Sequence, residues 1–241
     1  MSVTTQPIPM RTDNYAWLLT DKASGKVGVV DPADAAPVRE MLESQGKTLD
    51  FIFLTHHHND HIGGARELAD SYHALIVGHD EDAARLPKLD IPVHEGSSLS
   101  FGSAFVQVLA TPGHTLGHIA YYIADGGLLF PGDTLFSLGC GRLFEGTPAQ
   151  LFESLAKLKS LPDATLVCAG HEYSEANARF ACSVDPDNQA LQSRAAEISK
   201  LRAQHLATLP VSLGSERATN PFLRAQTVEV LAKLRAAKDV F

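Results

Sequence analysis

The stretch "THHHNDH", residues 55–61, places four of the chain's eleven histidines and one aspartate directly after the apolar run "LDFIFL". In extended or loop geometry, side chains two apart point the same way, so His56 and His58 share a side while Asp60 and His61 turn away. One loop can thus present two neighbouring sets of metal ligands. The spacing differs from the helical HExxH pattern, in which two histidines one turn apart hold a single ion. Further candidates recur downstream: His114 follows "VQVLATPG", Asp133 follows "LLFPG" and His171 follows "LVCAG". Each comes just past an apolar run and a turn of small residues. Any one of these residues alone reads as an ordinary polar side chain, but four strand ends carrying the same chemistry point to a metal site.

The elements that must position them are readable from hydrophobic period. "NYAWLLTD", "KVGVVDP", "LDFIFLTH" and "LIVGH" read as strands, separated by the amphipathic stretches "DAAPVREMLESQG" and "GGARELADSYHA". This is βα alternation. A looser second series follows in "SSLSF", "AFVQVLATPGH", "HIAYYIAD", "GGLLFPGD", a helix over about 147–160, and "TLVCAGH". In layered α/β folds the carboxyl ends of strands gather functional groups, which is where every candidate ligand falls. After "GHEY" the pattern changes to helical period in "SEANARFACSV", "NQALQSRAAEISKLRAQ" and "TVEVLAKLRAAK". A boundary near residue 171 is expected, with residues 1–170 forming one domain and 171–241 a small helical one.

T-H-x-H-x-D-H followed by His, Asp and His resembles the metallo-β-lactamase superfamily, and from "DNYAWL" to "LRAAKDVF" the chain is similar to glyoxalase II, the hydroxyacylglutathione hydrolases. The resemblance implies an α/β fold, the four-layer αβ/βα sandwich, with 1–170 as the catalytic domain and 171–241 as a C-terminal helical domain that binds substrate. It assigns one divalent cation to His56, His58 and His114, and a second to Asp60, His61 and His171, with Asp133 bridging. Asp60 and Asp133 become the catalytic carboxylates, and Asp31 and His118 would orient the ligands by hydrogen bonds. His57, His73, His79, His94 and His205 match no ligand position and are expected at the surface or in packing. By the same resemblance, Arg142 and Tyr173 contact the glutathione part, and Arg224 in "NPFLR" holds a glycine carboxylate, a contact suited to the paired donors of guanidinium. Two departures weaken that match. Phe144 stands where many members have tyrosine, and the lysine expected at about Thr227 is missing.

Imidazole and carboxylate accept zinc, iron or manganese; zinc is the first expectation. Two such ions activate water near neutral pH and polarise a carbonyl. A thioester suits this chemistry because a thiolate, with a pKa of about 8.5 for a Cys-like thiol, departs with little protonation. The implied reaction is hydrolysis of S-2-hydroxyacylglutathione, typically S-D-lactoylglutathione, to glutathione and D-lactate, a step in methylglyoxal detoxification. Two other classes stay open: a mononuclear iron persulfide dioxygenase acting on glutathione persulfide, and a noncatalytic binding module, which would predict a broken ligand set.

Composition limits the alternatives. With 241 residues, 44% apolar and 20% charged, the chain can bury a sizeable core. A formal charge of -8 offers no basic stripe for nucleic acid or anionic lipid. No segment reaches the apolar length of a membrane span, and the N-terminus carries no signal or transit pattern. Cys140, Cys168 and Cys182 form no paired framework. A cytoplasmic monomer with reduced thiols is expected, acting on a small molecule.

Overall fold

The structure is a computed structural model that describes residues 2–241. The chain divides into two compact units, one made of the residues up to Ala110 with Gly117–Gly132, the other of Thr111–Leu116 with Asp133–Phe241.

The first unit begins with β1 (Val3–Met10), β2 (Asn14–Asp21), β3 (Val27–Val30), α1 (Ala35–Ser44), β4 (Phe51–Phe53), the single turn α2 (Asn59–Ile62), α3 (Ala65–Tyr72), β5 (Leu75–His79) and β6 (Ile91–Val93). The six strands form one sheet in chain order. β1, β2 and β3 pair antiparallel, whereas β3 to β6 pair parallel. The βα alternation expected along this half therefore holds only from β3 onward. The loops joining β1 to β2 and β2 to β3 are too short for a crossover, which takes a dozen or more residues, so those strands must reverse. β7 (Ser98–Phe101), β8 (Ala104–Ala110), β9 (Ile119–Ile123) and β10 (Leu128–Phe130) then follow one another as antiparallel neighbours.

Strand alternation sorts the core of this unit into two faces. Ala16, Leu18, Val27, Val29, Ile52 and Ile76 project to one side and pack with Val38 and Leu42 of α1 and Leu68 of α3. Burying each of these larger side chains contributes about 1.5–3 kcal/mol. The opposite side carries rings. Phe53 meets Tyr121 of β9 edge-on at 5.3 Å, Phe51 meets Phe101 of β7 at 5.7 Å, and Trp17 meets Phe130 of β10 at 6.4 Å. A Cβ on Gly28 would lie 2.9 Å from the Phe53 ring, so β3 has glycine where the aromatic cluster presses on its backbone. Helices, the first sheet and the antiparallel strands thus form three successive layers.

The second unit contains the hairpin strands β11 (Leu135–Phe136) and β12 (Gly139–Cys140), α4 (Pro148–Lys159), β13 (Leu166–Val167), α5 (Ser174–Val184), α6 (Gln189–Ala203), β14 (Val211–Ser212), α7 (Leu213–Thr219), α8 (Pro221–Arg224) and α9 (Val228–Asp239). α4 occupies the expected span because its start is fully specified. Thr147 and Gln150 cap each other's backbone reciprocally, Pro148 sits at the first helical position, and Lys157 and Lys159 face the carbonyl end. Residues 189–239 are mainly helical, as their period requires. Among the described residues no helix is long and apolar enough to cross a membrane.

Candidate functional site

In the first unit the chain leaves β4 through Leu54 and Thr55 into the histidine run. Asp31, just past β3, takes the left-handed conformation at φ 50 and aims its carboxylate at this run. Its Oδ1 accepts from the Thr55 amide at 2.8 Å, and its Oδ2 accepts from the Thr55 hydroxyl at 2.6 Å and from His61 Nδ1 at 3.0 Å. With its hydrogen pointed at Asp31, the Thr55 hydroxyl oxygen accepts from His56 Nδ1 at 3.0 Å. These bonds put the proton of His56 and of His61 on Nδ1 and leave each Nε2 as a lone-pair donor, the form a cation requires. Asp31, His56 and His61 offer ligand atoms within 4.8 Å of one another.

His56 Nε2 lies 3.1 Å from Nδ1 of His58, and His61 Nε2 lies 3.6 Å from Asp60 Oδ2. A tetrahedral shell with metal–nitrogen bonds of about 2.0–2.1 Å separates its ligand atoms by about 3.3 Å. The donor pairs fit that spacing. His118 stacks on His56 with ring centroids 4.7 Å apart, beside Gly132, where φ is 48 and a Cβ would stand 2.4 Å from the Thr55 hydroxyl. Asn14, at the start of β2, donates its amide to the Asp60 carbonyl at 3.0 Å and to Asp60 Oδ2 at 3.2 Å. Sequence reasoning assigned Asn14 no role. Its only signal is its place in "DNYAWL", and nothing local shows that β2 begins beside residue 60. His57 bonds Asp82 Oδ2 at 3.1 Å.

The second unit holds the remaining candidates. His114 Nδ1 lies 2.8 Å from the Arg142 carbonyl, which only accepts, so its proton sits on Nδ1 and its Nε2 carries the lone pair. The Nε2 of His114 is 3.5 Å from Asp133 Oδ2, and His171 Nε2 approaches the same oxygen at 3.4 Å. Two imidazole nitrogens converging on one buried carboxylate oxygen, each beyond good hydrogen-bond length, suit a carboxylate shared with cations. The loop after β12 is pressed against this trio, since a Cβ on Gly141 would fall 1.9 Å from the Asp133 carbonyl. Tyr173 stacks on His171 at 4.6 Å with ring planes 5° apart, and Phe136 meets both edge-on. Phe144 is 64% exposed, with its ring 5.1 Å from His114.

The candidate substrate arginines are exposed but engaged. Arg142 Nε lies 3.6 Å from Asp239 Oδ1, and Arg224 Nη1 bonds Asp185 Oδ2. Thr227, where a lysine is expected, accepts from the Val230 amide at 3.3 Å and so caps α9. Burial pushes the Cys140 thiol up to about 11, against the charge and hydrogen bond of Arg235, so it is no ready nucleophile. All three cysteines are free.

Comparison with known proteins decides the lineage. Residues 11–171 match the family model described as the metallo-beta-lactamase superfamily, and residues 172–241 match that of the hydroxyacylglutathione hydrolase C-terminus. The chain belongs to the hydroxyacylglutathione hydrolases of that superfamily. It is 54% identical to the hydroxyacylglutathione hydrolase of Acidiphilium cryptum, over 97% of this chain and 95% of that one. It is 49% identical to that of Ruegeria pomeroyi, over 97% of each chain. Among solved structures, ETHE1 from Myxococcus xanthus superposes with a TM-score of 0.74 at 26% identity, covering 97% of this chain and 90% of that one. TTHA1623 in a di-iron-bound form gives 0.65 at 27% identity, covering 90% and 99%. A hydroxyacylglutathione hydrolase with the α/β metallo-β-lactamase fold and a C-terminal helical region is what sequence resemblance implied.

Proposed function

We propose that this chain is a hydroxyacylglutathione hydrolase that uses two divalent cations to cleave S-2-hydroxyacylglutathione, typically S-D-lactoylglutathione, into glutathione and a 2-hydroxy acid. The observation that carries the reading is the unbroken succession of the two family models along one chain. His56, His58 and His114 are assigned to one cation, Asp60, His61 and His171 to the other, and Asp133 to both. The support is family membership together with the tautomers fixed at His56, His61 and His114. Zinc is the first choice. The di-iron form of TTHA1623 keeps iron beside manganese as an alternative.

When bound, the cations supply a water that is nucleophilic near neutral pH and a Lewis-acid contact for the thioester carbonyl. The chain's own groups do the positioning. Asn14 holds the Asp60 carboxylate, Asp31 holds the His61 imidazole and Thr55 that of His56, and His118 supports His56 from its ring face. Tyr173, Arg142 and Arg224 are assigned to the glutathione moiety, with the guanidinium of Arg224 on its glycine carboxylate. Phe144 contributes an apolar edge without a hydroxyl donor. Residues 171–241 act as the substrate-binding domain of a cytoplasmic monomer.

Elemental analysis of the purified protein alongside thiol release from S-D-lactoylglutathione tests the reading. About two cations per chain and stoichiometric thiol release are expected. A fully loaded protein that leaves glutathione thioesters intact overturns it, and oxygen uptake with glutathione persulfide would favour the dioxygenase reading.

A further inference from the structure

Arg235 lies in the third turn of α9 and is 6% exposed, a rare setting for a guanidinium. Its Nη1 donates to the Cys140 carbonyl at 2.7 Å, and its Nη2 donates to Asp239 Oδ1 at 3.0 Å. The guanidinium also sits over the Phe222 ring, 5.3 Å from its centroid, which fixes its plane. Both contacts lead to the functional residues. Cys140 is followed by Gly141 and Arg142, whose carbonyl sets the His114 tautomer, while the Asp239 oxygen held by Arg235 also faces the Arg142 guanidinium. A residue in the last helix therefore reaches the backbone two residues before the carbonyl that orients a candidate metal ligand, and also the side chain assigned to substrate.

We propose that Arg235 is a positioning residue with two separable effects: its bond to the Cys140 carbonyl anchors the segment 140–142, whose last carbonyl orients His114, and its bond to Asp239 holds the Arg142 side chain. This rests on the assignment of His114 as a metal ligand. A substitution beside a metal ligand typically weakens metal affinity by about 10–100-fold, and Arg235 acts one link further out, so the lower end of that range applies.

The test measures zinc affinity by competition with a chromophoric chelator, steady-state kcat and KM for S-D-lactoylglutathione, and thermal unfolding of the full-length protein. Arg235→Met keeps the length and apolar stem but removes every donor; it should weaken zinc about tenfold and raise KM. Arg235→Lys keeps one donor for the carbonyl but cannot span both acceptors, so it should restore zinc affinity while KM stays raised. Lys233→Met, an exposed change on the same helix, should match the parent in all three readouts. If Arg235→Met does not fold, Arg235→Lys decides: parental KM in that variant overturns the second effect, and a fold-change in zinc affinity equal to that of His114→Ala overturns the separation. His114→Ala also distinguishes the failures. Unchanged zinc affinity there removes the ligand assignment itself, whereas a large loss there beside parental affinity in Arg235→Met overturns only the role of Arg235.

Discussion

Removing the Asp133 carboxylate probes the proposed centre most directly, because His114 and His171 both aim Nε2 at the same oxygen of this group. Asp133→Ala should lower metal content and turnover together, read by elemental analysis and thiol release on one preparation; unchanged stoichiometry contradicts the bridging assignment. Arg224→Ala should raise KM for glutathione thioesters about tenfold with little change in kcat, the signature of losing a charge-assisted bond made equally in ground and transition states. Equal KM in variant and parent would take Arg224 out of the substrate site and leave it as the partner of Asp185. Phe144→Tyr adds, at an exposed position, the hydroxyl that the sequence resemblance leads one to expect, and a lower KM is expected. The four segments with candidate ligands were legible at this scale because each follows an apolar run, and His114, Asp133 and His171 also follow a turn of small residues. Asn14 and Arg235 were not, because an amide or guanidinium that supports another residue looks in sequence like any other surface polar group.

Among the elements, "NYAWLLTD" matches β2 end to end, its apolar middle flanked by the polar Asn14, Thr20 and Asp21, and all but one of its residues are buried. β1 and β6 are the two edges of the first sheet and contain Pro7, Pro9 and Pro92, which edge strands tolerate but which blur the alternation used to recognise them. β11 and β12 are two residues each, too short to carry any period. The C-terminal helices are legible, yet the use made of Thr227 is not: its hydroxyl caps α9 where the family's pattern suggests a side chain for substrate. Thr227→Ala should destabilise the protein by about 1 kcal/mol, lowering Tm by about 2–4 °C for a chain of this length, with little change in kcat. An unchanged melting curve would show that the cap contributes nothing to stability.

For the molecule as a whole, Glu216 makes a pH dependence. Burial pushes its carboxyl up from the ordinary 4.5, opposed by hydrogen bonds from the Leu138 amide, Asn220 and Ser137 and by the charge of Arg194. Because the folded value is raised, its contribution to stability is complete below about pH 4.5 and is lost as pH rises through the folded value. In metal-free protein, urea unfolding from pH 4 upward should show parental stability falling relative to Glu216→Gln as pH rises, and parallel profiles would deny that burial dominates. The same carboxylate ties α7 to Ser137 and Leu138, and Asn220 ties it to the carbonyls of Phe136 and Gly139.

Gly141 imposes a limit on how this enzyme can be redesigned. No side chain fits between its backbone and the Asp133 carbonyl, so a saturation library across 139–144, selected for folded protein that holds metal, should return glycine at 141 and varied residues at the exposed position 144. New acyl or thiol preferences would then have to arise around a pivot that itself cannot drift.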